Sequence, residues 1–360
     1  MKKIALFFAL FVCVVACFAQ NCTINGRMNV PAFQNKEVRL LNDVTWETIA
    51  TTTIKDSAFT FTVPASEPHW AMITTVTASG SNNYFLDVIV EPGIITCDLV
   101  TDELAGTPNN DIYGKFHQDI QKEMSIYHSL PAKFENIQNM SEQEIEQLKA
   151  ETMGQKKKIS DMALQAFIEN KDNLVGIKAF DYLEQLNKVE YKELKSLLAD
   201  AAPVVQNYPD IVRKMEKLER LEQTSEGKPY VDVEVKEFKT GKTVKLSKYI
   251  KGKVALIDFW ASWCGPCRKQ IPNIAKIYEK YGKDIVVVSL NVWDQPEERT
   301  KAIKEMRMNW VQLMDDTRNA TNMYGISAIP QIMLIGKDGT ILARDLFNDE
   351  IEEAVQNALK

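Results

Sequence analysis

The fold of the C-terminal part of this chain is decided by one stretch, Asp258-Phe259-Trp260-Ala261-Ser262-Trp263-Cys264-Gly265-Pro266-Cys267. The apolar run 254–257 before it predicts a buried strand, and the spaced isoleucines of 268–281 after it predict a helix. Two cysteines, two residues apart, therefore stand where a strand turns into a helix. The positive end of the helix dipole stabilises a thiolate at Cys264. Cys267, about one turn into the helix, can attack a mixed disulfide at Cys264. We predict a redox-active site here.

Two neighbours of the cysteines fit the same chemistry. Asp258 lies in an apolar run where an unpaired carboxylate is costly to bury, and desolvation raises the pKa of a buried acid. We therefore expect Asp258 to accept the proton of Cys267; the alternative is a carboxylate that merely stands near a strand end. Trp263, next to the nucleophile, is expected to belong to a docking surface. Trp260 is expected in the core, and Pro272 should bend the helix because it lacks an N–H.

These residues resemble the active site of the thioredoxin superfamily, in which a Trp-Cys-Gly-Pro-Cys core follows Asp-Phe-Trp. Farther along, Gly325-Ile326-Ser327-Ala328-Ile329-Pro330 resembles the loop that carries the cis-proline of that family. The resemblance covers residues 228–360. It implies a thioredoxin fold, in which Pro330 and Ile329 offer backbone to a substrate strand and keep metal ions from the cysteines. It also implies that Gly265 and Pro266 help to dock the substrate.

The redox region carries an extra helix at 296–308 and a short strand at 310–313, which resemble the exported TlpA-like branch of the superfamily. Some members of that branch reduce apocytochrome c, and they have a glutamate three residues after the second cysteine. Here Gln270 stands at that position and cannot ionise. The departure argues against a role restricted to cytochrome maturation and favours a more general disulfide reductant.

Length and composition limit the remaining possibilities. A chain of 360 residues is long for one domain and indicates two or three. With 45% hydrophobic and 26% charged residues it has the composition of a folded protein. The formal net charge of −6 argues against nucleic acid as a partner. Six cysteines are too few for a disulfide scaffold of this length.

The N-terminus has the pattern of an export signal. A basic start, Met1-Lys2-Lys3, precedes an apolar run at 4–18 that is too short for an ordinary membrane span. A buried core helix is the disfavoured alternative. We expect a signal peptide at 1–19, cleaved after Ala19, although 14–17 also resembles a lipobox that would leave a lipid anchor on Cys17. Either form predicts an exported protein, in the periplasm or at the outer membrane of a Gram-negative bacterium.

The rest of the chain divides into two regions by pattern. Alternating apolar residues and regularly spaced turns over 20–108 predict an all-β, sandwich-like domain. It resembles the small β domains that precede exported thioredoxins, and a docking or spacer role is expected for it. Cys22 and Cys97 open and close this region, either as a disulfide or as two buried thiols. Residues 109–226 predict a helical segment, and Gly227-Lys228-Pro229 a linker into the α/β redox domain, 228–360.

Other uses of paired cysteines fit this sequence poorly. A c-type haem site needs a histidine directly after the second cysteine, where Arg268 stands. A zinc site needs about four ligands, but the sequence has no second C-x-x-C and its histidines lie far upstream. A peroxidatic cysteine would need a Thr-x-x-Cys setting, which Cys264 lacks. We expect no metal and no cofactor beyond a Cys264–Cys267 disulfide.

The sequence therefore predicts a cell-envelope thiol-disulfide oxidoreductase that reduces protein or peptide disulfides and contributes to redox homeostasis. Its expected electron donor is a membrane-embedded thiol transporter. Two alternatives stay open. The cysteines could act as a disulfide oxidase or isomerase, although the Gly265-Pro266 pair between them resembles that of reducing thioredoxins. Alternatively, the N-terminal half could carry the function as an envelope binding or adaptor module.

Overall fold

The structure, a computed structural model, describes residues 21–76, 84–186 and 190–360. The predicted signal peptide at 1–19, the Cys17 anchor site and a turn expected at 79–80 lie outside these ranges. The chain forms two compact units that divide between Ile211 and Val212. The predicted class, a β domain followed by a helical region and an α/β domain, is confirmed. The domain limits at 108 and 226 stay predictions.

The β domain consists, within the described residues, of two four-stranded sheets of order β4-β1-β7-β8 and β3-β2-β5-β6. The strands are β1 (Asn21–Arg27), β2 (Glu37–Asn42), β3 (Thr48–Thr53), β4 (Ala58–Pro64), β5 (His69–Thr75), β6 (Phe85–Val90), β7 (Gly93–Asp98) and β8 (Glu103–Ala105). Strand β4 shows why they form sheets: Phe59, Phe61 and Val63 are buried while the threonines between them are exposed. Each such strand has one apolar face to cover, as the sandwich-like prediction requires.

The register of β1 against β7 decides the state of the two cysteines in this domain. Strand β1 runs parallel to β7, with Cys22 opposite Gly93 and Gly26 opposite Cys97. The two cysteines are thus offset by four residues, about 13 Å along the strands, whereas a disulfide needs Cα atoms within about 7 Å. Both are free, buried thiols. Burial raises the pKa of Cys22 and raises that of Cys97 to about 12. The disulfide alternative is wrong, and the buried-thiol alternative is confirmed.

The middle of the chain is helical, as predicted. Its helices are α1 (Pro108–Lys133), α2 (Glu142–Asn170), α3 (Val175–Leu186), α4 (Tyr191–Ala199), α5 (Pro203–Gln206) and α6 (Pro209–Gln223). Helix α2 begins with a capping box, in which Ser141 and Glu144 satisfy each other's backbone N–H groups. None of the helices in the described ranges combines the length and the apolar character that spanning a bilayer requires.

The C-terminal unit is built on a seven-stranded mixed sheet of order β10-β9-β13-β12-β11-β14-β15. Its strands are β9 (Glu234–Glu237), β10 (Thr243–Lys245), β11 (Val254–Trp260), β12 (Ile285–Asn291), β13 (Val311–Met314), β14 (Gln331–Ile335) and β15 (Ile341–Ala343). Its other helices are α7 (Ser247–Ile250), α8 (Gly265–Tyr281), α9 (Pro296–Glu305), α10 (Asn319–Met323) and α11 (Asp349–Leu359). Residues 230–233, which precede β9, do not form a regular strand. The Tyr230 N–H instead bonds the Gly339 carbonyl, 2.8 Å away, in the turn before β15.

Strand β11 is the centre of this sheet and is buried along its whole length. It pairs with parallel β12 on one side and with antiparallel β14 on the other. Because side chains alternate, Val254, Leu256 and Trp260 face one apolar cluster, which α8 and α11 cover. The residues that alternate with them along β11 face the second apolar cluster, on the other side of the sheet. The chain leaves β11 at the carboxyl edge of the parallel strands and enters α8 there, which places Cys264 and Cys267 at that edge.

Candidate active site

The two cysteines form a disulfide at the N-terminus of α8. Cys264 is the N-cap residue, and its Sγ accepts a hydrogen bond from the backbone N–H of Cys267 at 3.2 Å. Cys264 is 4% exposed and Cys267 is 1% exposed. The first N–H groups of a helix have no partner within the helix, so a thiolate on Cys264 would find a hydrogen-bond donor and the positive end of the dipole in place. The geometry suits a nucleophilic thiolate at Cys264 once the disulfide is reduced.

The loop before β14 brings Ile329 and Pro330 beside the nucleophile. The Ile329–Pro330 peptide bond is cis, and the Ile329 carbonyl oxygen lies 3.7 Å from Cys264 Sγ. The pairing of β14 with β11, which sets Gln331 opposite Phe259, holds this loop at the same sheet edge as the cysteines. The structure thus brings together four of the residues selected from the sequence.

Trp263, Gly265 and Pro266 are exposed around the disulfide. The indole of Trp263 is 62% exposed, yet its Nε1 donates a 2.9 Å hydrogen bond to the Trp293 carbonyl oxygen. A fixed aromatic surface of this kind offers a docking area at small entropic cost. A groove of about 320 Å³ begins at Trp293; its lining residues are Trp293, Arg318, Thr321, Asn322, Ile326 and Ser327. The groove therefore shares residues with the cis-proline loop.

Asp258 lies within β11 on the face that carries the cysteines, since it alternates with Leu256 and Trp260, which belong to the same cluster as Cys267. Asp258 is 1% exposed. Burial raises the pKa of its carboxyl group to about 7, and the hydrogen bond from Ser289 lowers it only in part. A group with this pKa exchanges protons readily at neutral pH.

Ser289, Trp310 and Asp294 were not selected from the sequence. Ser289 Oγ donates to Asp258 Oδ2 at 3.1 Å and accepts from Trp310 Nε1 at 2.8 Å. Asp294 accepts hydrogen bonds from the backbone N–H and the hydroxyl of Ser262, at 2.6 and 2.7 Å, and so fixes the loop before Cys264. The one signal for Ser289 in the sequence is that a serine interrupts the apolar run of β12; its pairing in register with Asp258 is set by the sheet.

Gln270, the departure from the apocytochrome-reducing pattern, is buried and has a structural contact. Its Nε2 donates to Asn348 Oδ1 at 2.9 Å, and its Oε1 accepts from the Asn348 backbone N–H at 3.1 Å. It thus joins α8 to the start of α11. Pro272 lies inside α8, as expected. Within residues 21–76, 84–186 and 190–360, no group of three or more His, Cys, Asp or Glu side chains is placed to hold a metal ion.

Two regions of the chain match known protein families. Residues 227–344 match the AhpC/TSA family, and residues 22–113 match a domain of unknown function, DUF4369. Neither match spans half of the chain.

Individual relatives resemble the C-terminal part. Over 121 residues the chain is 26% identical to the thiol-disulfide oxidoreductase ResA of Bacillus thuringiensis (strain Al Hakam), covering 33% of this chain and 69% of that protein. It is 31% identical over 94 residues to the thiol:disulfide interchange protein HelX of Rhodobacter capsulatus, covering 26% of this chain and 52% of HelX. Among solved structures, the thioredoxin domain of a thiol-disulfide oxidoreductase from Bacteroides vulgatus is 28% identical, with a TM-score of 0.36, covering 38% of this chain and 99% of that one.

The C-terminal unit is a thioredoxin-fold domain of the thiol-disulfide oxidoreductase type, as the sequence predicted.

Proposed function

We propose that this protein is an exported reductase that opens disulfides in other proteins or peptides of the cell envelope, using the Cys264–Cys267 pair. The observation that carries the proposal is the disulfide at the N-terminus of α8, with Cys267 N–H directed at Cys264 Sγ. A buried acid whose pKa is raised to about 7 lies on the same face of the sheet. Together they supply a nucleophile, a second cysteine and a proton acceptor.

The reaction proceeds by two thiol–disulfide exchanges. The Cys264 thiolate attacks one sulfur of the substrate disulfide, a Cys264–substrate disulfide forms, and the other substrate sulfur leaves as a thiolate. Cys267 then gives its proton to Asp258 and attacks Cys264 Sγ. This step releases the second substrate thiolate and closes the Cys264–Cys267 bond. Each turnover oxidises two protein thiols and reduces one substrate disulfide.

Substrate docking is assigned to the exposed surface around the disulfide. Trp263, Gly265 and Pro266 surround the cysteines on one side, and Ile329 and Pro330 on the other. An extended substrate segment can lie between them and bond the backbone of the cis-proline loop. The loop also restricts approach to Cys264 and keeps metal ions away from the dithiol.

The direction of exchange is assigned from the nucleophile's surroundings. A strong oxidant needs a highly stabilised thiolate. At Cys264 the described stabilisation is one backbone hydrogen bond and the helix terminus, and no histidine stands beside Cys267. No cofactor is needed, because a membrane thiol transporter would return electrons to the disulfide. Export rests on the predicted signal at 1–19, and a lipid anchor at Cys17 would hold the protein at the membrane.

The decisive experiment measures the reduction potential of the Cys264–Cys267 pair by equilibration with a thiol buffer. We expect a value near the reducing thioredoxins, about −270 mV, rather than near the strongest exported oxidants, about −120 mV. These limits differ by roughly 7 kcal/mol for two electrons, so the outcome is unambiguous. A value near the upper limit would make the protein an oxidase or isomerase.

Cells that carry Cys264→Ser serve as the control for function in the envelope. We expect them to match a full deletion, whereas Cys97→Ala, which removes a buried thiol of the β domain, should match the wild type. If Cys264→Ser behaves like the wild type while the deletion does not, the N-terminal half carries the function as a binding module.

A further inference from the structure

Three buried polar side chains form a chain of hydrogen bonds that ends on Asp258. Ser289, on β12, lies directly opposite Asp258 in the parallel pairing. Trp310, just before β13, donates from Nε1 to Ser289 Oγ at 2.8 Å, and Ser289 Oγ donates to Asp258 Oδ2 at 3.1 Å. Asp258 is 1%, Ser289 0% and Trp310 7% exposed.

The direction of these hydrogen bonds is fixed by chemistry. An indole N–H can only donate, and a serine hydroxyl has one proton. An ionised Asp258 can only accept, so the Ser289 proton is directed to Oδ2 while Trp310 occupies one acceptor site of the hydroxyl. When a proton binds Oδ1, Oδ2 is still an acceptor for Ser289.

We propose that Ser289 and Trp310 are positioning residues of the redox reaction. They hold Asp258 Oδ2 as a fixed hydrogen-bond acceptor and leave Oδ1 as the atom that takes the proton of Cys267. The inference rests on the proposed function, since it gives the acid used in that mechanism its orientation. The chain cannot conduct the proton away, because the indole has no lone pair to accept it. The proton must therefore leave Asp258 on the side of the sheet that carries the cysteines.

Burial has the largest effect on the ionisation of Asp258, and the Ser289 hydrogen bond is the specific contact that opposes it. On β14 the register partner is Ile332, and the buried residues of α11 on this face are Ile351 and Val355, all uncharged. On α8 and its N-cap the titratable groups on this face are the two cysteines, which do not titrate as a disulfide, and Tyr281, whose hydroxyl bonds Glu352 Oε1 at 3.0 Å. On α9 the buried charged group is Arg299, whose guanidinium bonds Asn291 Oδ1 and Asp316 Oδ1. Burial raises the pKa of Asp258, and Ser289 is the neighbour that lowers it.

A purely structural role for the pair is the weaker interpretation. Serine interrupts the apolar run of β12, where a valine would fill the sheet equally well. The Trp310 indole directs its N–H at Ser289 Oγ within this apolar cluster, and the hydroxyl in turn faces Asp258.

The test is an infrared titration of the full-length protein in its disulfide form, following the carboxylic-acid band near neutral pH. Wild type, Ser289→Ala, Trp310→Phe and the double variant are compared, with Asp258→Asn to identify the band. Losing a hydrogen bond to a charged carboxylate should raise the midpoint by about one to two pH units in Ser289→Ala. Trp310→Phe should raise it by less than about one unit, because the freed hydroxyl can still donate.

The remaining variants separate orientation from packing. Ser289→Ala leaves the Trp310 N–H without a partner, and the double variant removes that group, so an equal shift in both assigns the effect to Asp258. Ser289→Thr keeps the hydroxyl and should restore the midpoint. A wild-type midpoint in Ser289→Ala, or a band that persists in Asp258→Asn, would overturn the proposal.

A second experiment measures whether the infrared midpoint of Asp258 also governs the rate of disulfide exchange. The reduced protein is mixed with oxidised glutathione, and decay of the Cys264–glutathione disulfide is followed against pH by acid trapping and mass spectrometry. The pH midpoint of this decay should move upward in Ser289→Ala as the infrared midpoint does, and an unmoved profile would contradict the proposal. Absence of any exchange in the wild type would instead refute the proposed function, and the infrared midpoints would still report on the positioning of Asp258.

Discussion

The two units of the chain each hold an aspartate that is largely shielded from solvent, Asp43 with 12% of its side chain exposed and Asp258 with 1% of the residue exposed, but they surround it differently. In the N-terminal unit, both carboxylate oxygens of Asp43 lie 3.5 Å from Lys178 Nζ, and Oδ2 also accepts a 3.1 Å hydrogen bond from Tyr208. Lys178 bonds Asp87 as well, at 2.9 Å, and lies over the ring of Trp70. In the C-terminal unit, Asp258 receives its described hydrogen bond from the uncharged hydroxyl of Ser289.

The difference shows how burial can serve either structure or chemistry. Burial lowers the pKa of Lys178, but the charges of Asp87 and Asp43 raise it more, so that the net shift is upward. Lys178 thus stays charged at neutral pH and ties α3 to Asp87 of β6. At Asp258 burial acts without a charged partner and raises the pKa to about 7. A buried acid without a cationic partner, such as Asp258, can accept a proton at neutral pH.

The largest loss of stability is expected when the cation, Lys178, is removed from the cluster in the N-terminal unit. Lys178→Met leaves the half-buried Asp43 and Asp87 without their counter-charge. We expect the N-terminal unit to lose about 2–4 kcal/mol of stability, less than a fully buried pair would cost because both carboxylates keep some contact with solvent. Native-state hydrogen exchange of α3 and β2 amides measures the loss. The triple variant Lys178→Met/Asp43→Asn/Asp87→Asn should recover part of it. Unchanged exchange in Lys178→Met would show that the ion pairs do not stabilise this unit.

In the C-terminal unit, by contrast, removing the charge of Asp258 should increase stability at high pH. The folded-state pKa of Asp258 is raised from 3.8 to about 7. Its contribution to stability is therefore complete below about pH 4 and is lost as the pH rises through about 7. Asp258→Asn cannot ionise, so the variant should be about 2–4 kcal/mol more stable than the wild type at pH 8.5, with little difference at pH 4. Hydrogen exchange of β11 amides in the disulfide form measures this difference.

The same variant should be poor in exchange. Without a proton acceptor for Cys267, decay of the mixed disulfide at pH 7 should slow on the order of 100-fold while the domain stays folded. Asp43→Asn is the matched control: it should destabilise its unit at pH 8.5 and leave the mixed-disulfide rate unchanged. An unchanged rate in Asp258→Asn would remove the proton-acceptor role.

The sequence was informative wherever the determining contacts are local. The strand, the cysteines and the helix lie within one continuous stretch, and Asp258 was selected because a carboxylate in a buried strand is conspicuous. Contacts between distant segments were not accessible. Ser289 reaches Asp258 only through the pairing of β11 with β12. The fate of Cys22 and Cys97 depended on which residues β1 and β7 set opposite each other. Pattern predicts that strands exist, but register depends on how the whole sheet packs.

The smallest expected effect is that of a substitution at Asp294. This carboxylate has neither a cationic partner, as Asp43 has, nor the single hydroxyl partner of Asp258. Its two oxygens accept four hydrogen bonds from uncharged groups, namely Ser262 N and Oγ, Asn291 Nδ2 and Gln295 N. Asparagine keeps one acceptor oxygen and turns an NH₂ toward two of these donors. We expect Asp294→Asn to cost about 1–3 kcal/mol and to slow attack by Cys264 on oxidised glutathione by less than about tenfold, because the loop that carries Ser262 loosens.

A carboxylate with similar contacts elsewhere provides the control. Asp338 accepts hydrogen bonds from the backbone N–H and the hydroxyl of Thr340, at 3.0 and 2.8 Å, in the turn before β15. Asp338→Asn should weaken that turn and leave the Cys264 rate unchanged. If both variants slow the attack equally, Asp294 acts only through general stability. If Asp294→Asn alone does so, this domain uses one carboxylate to accept the proton of Cys267 and another to hold the nucleophile in place.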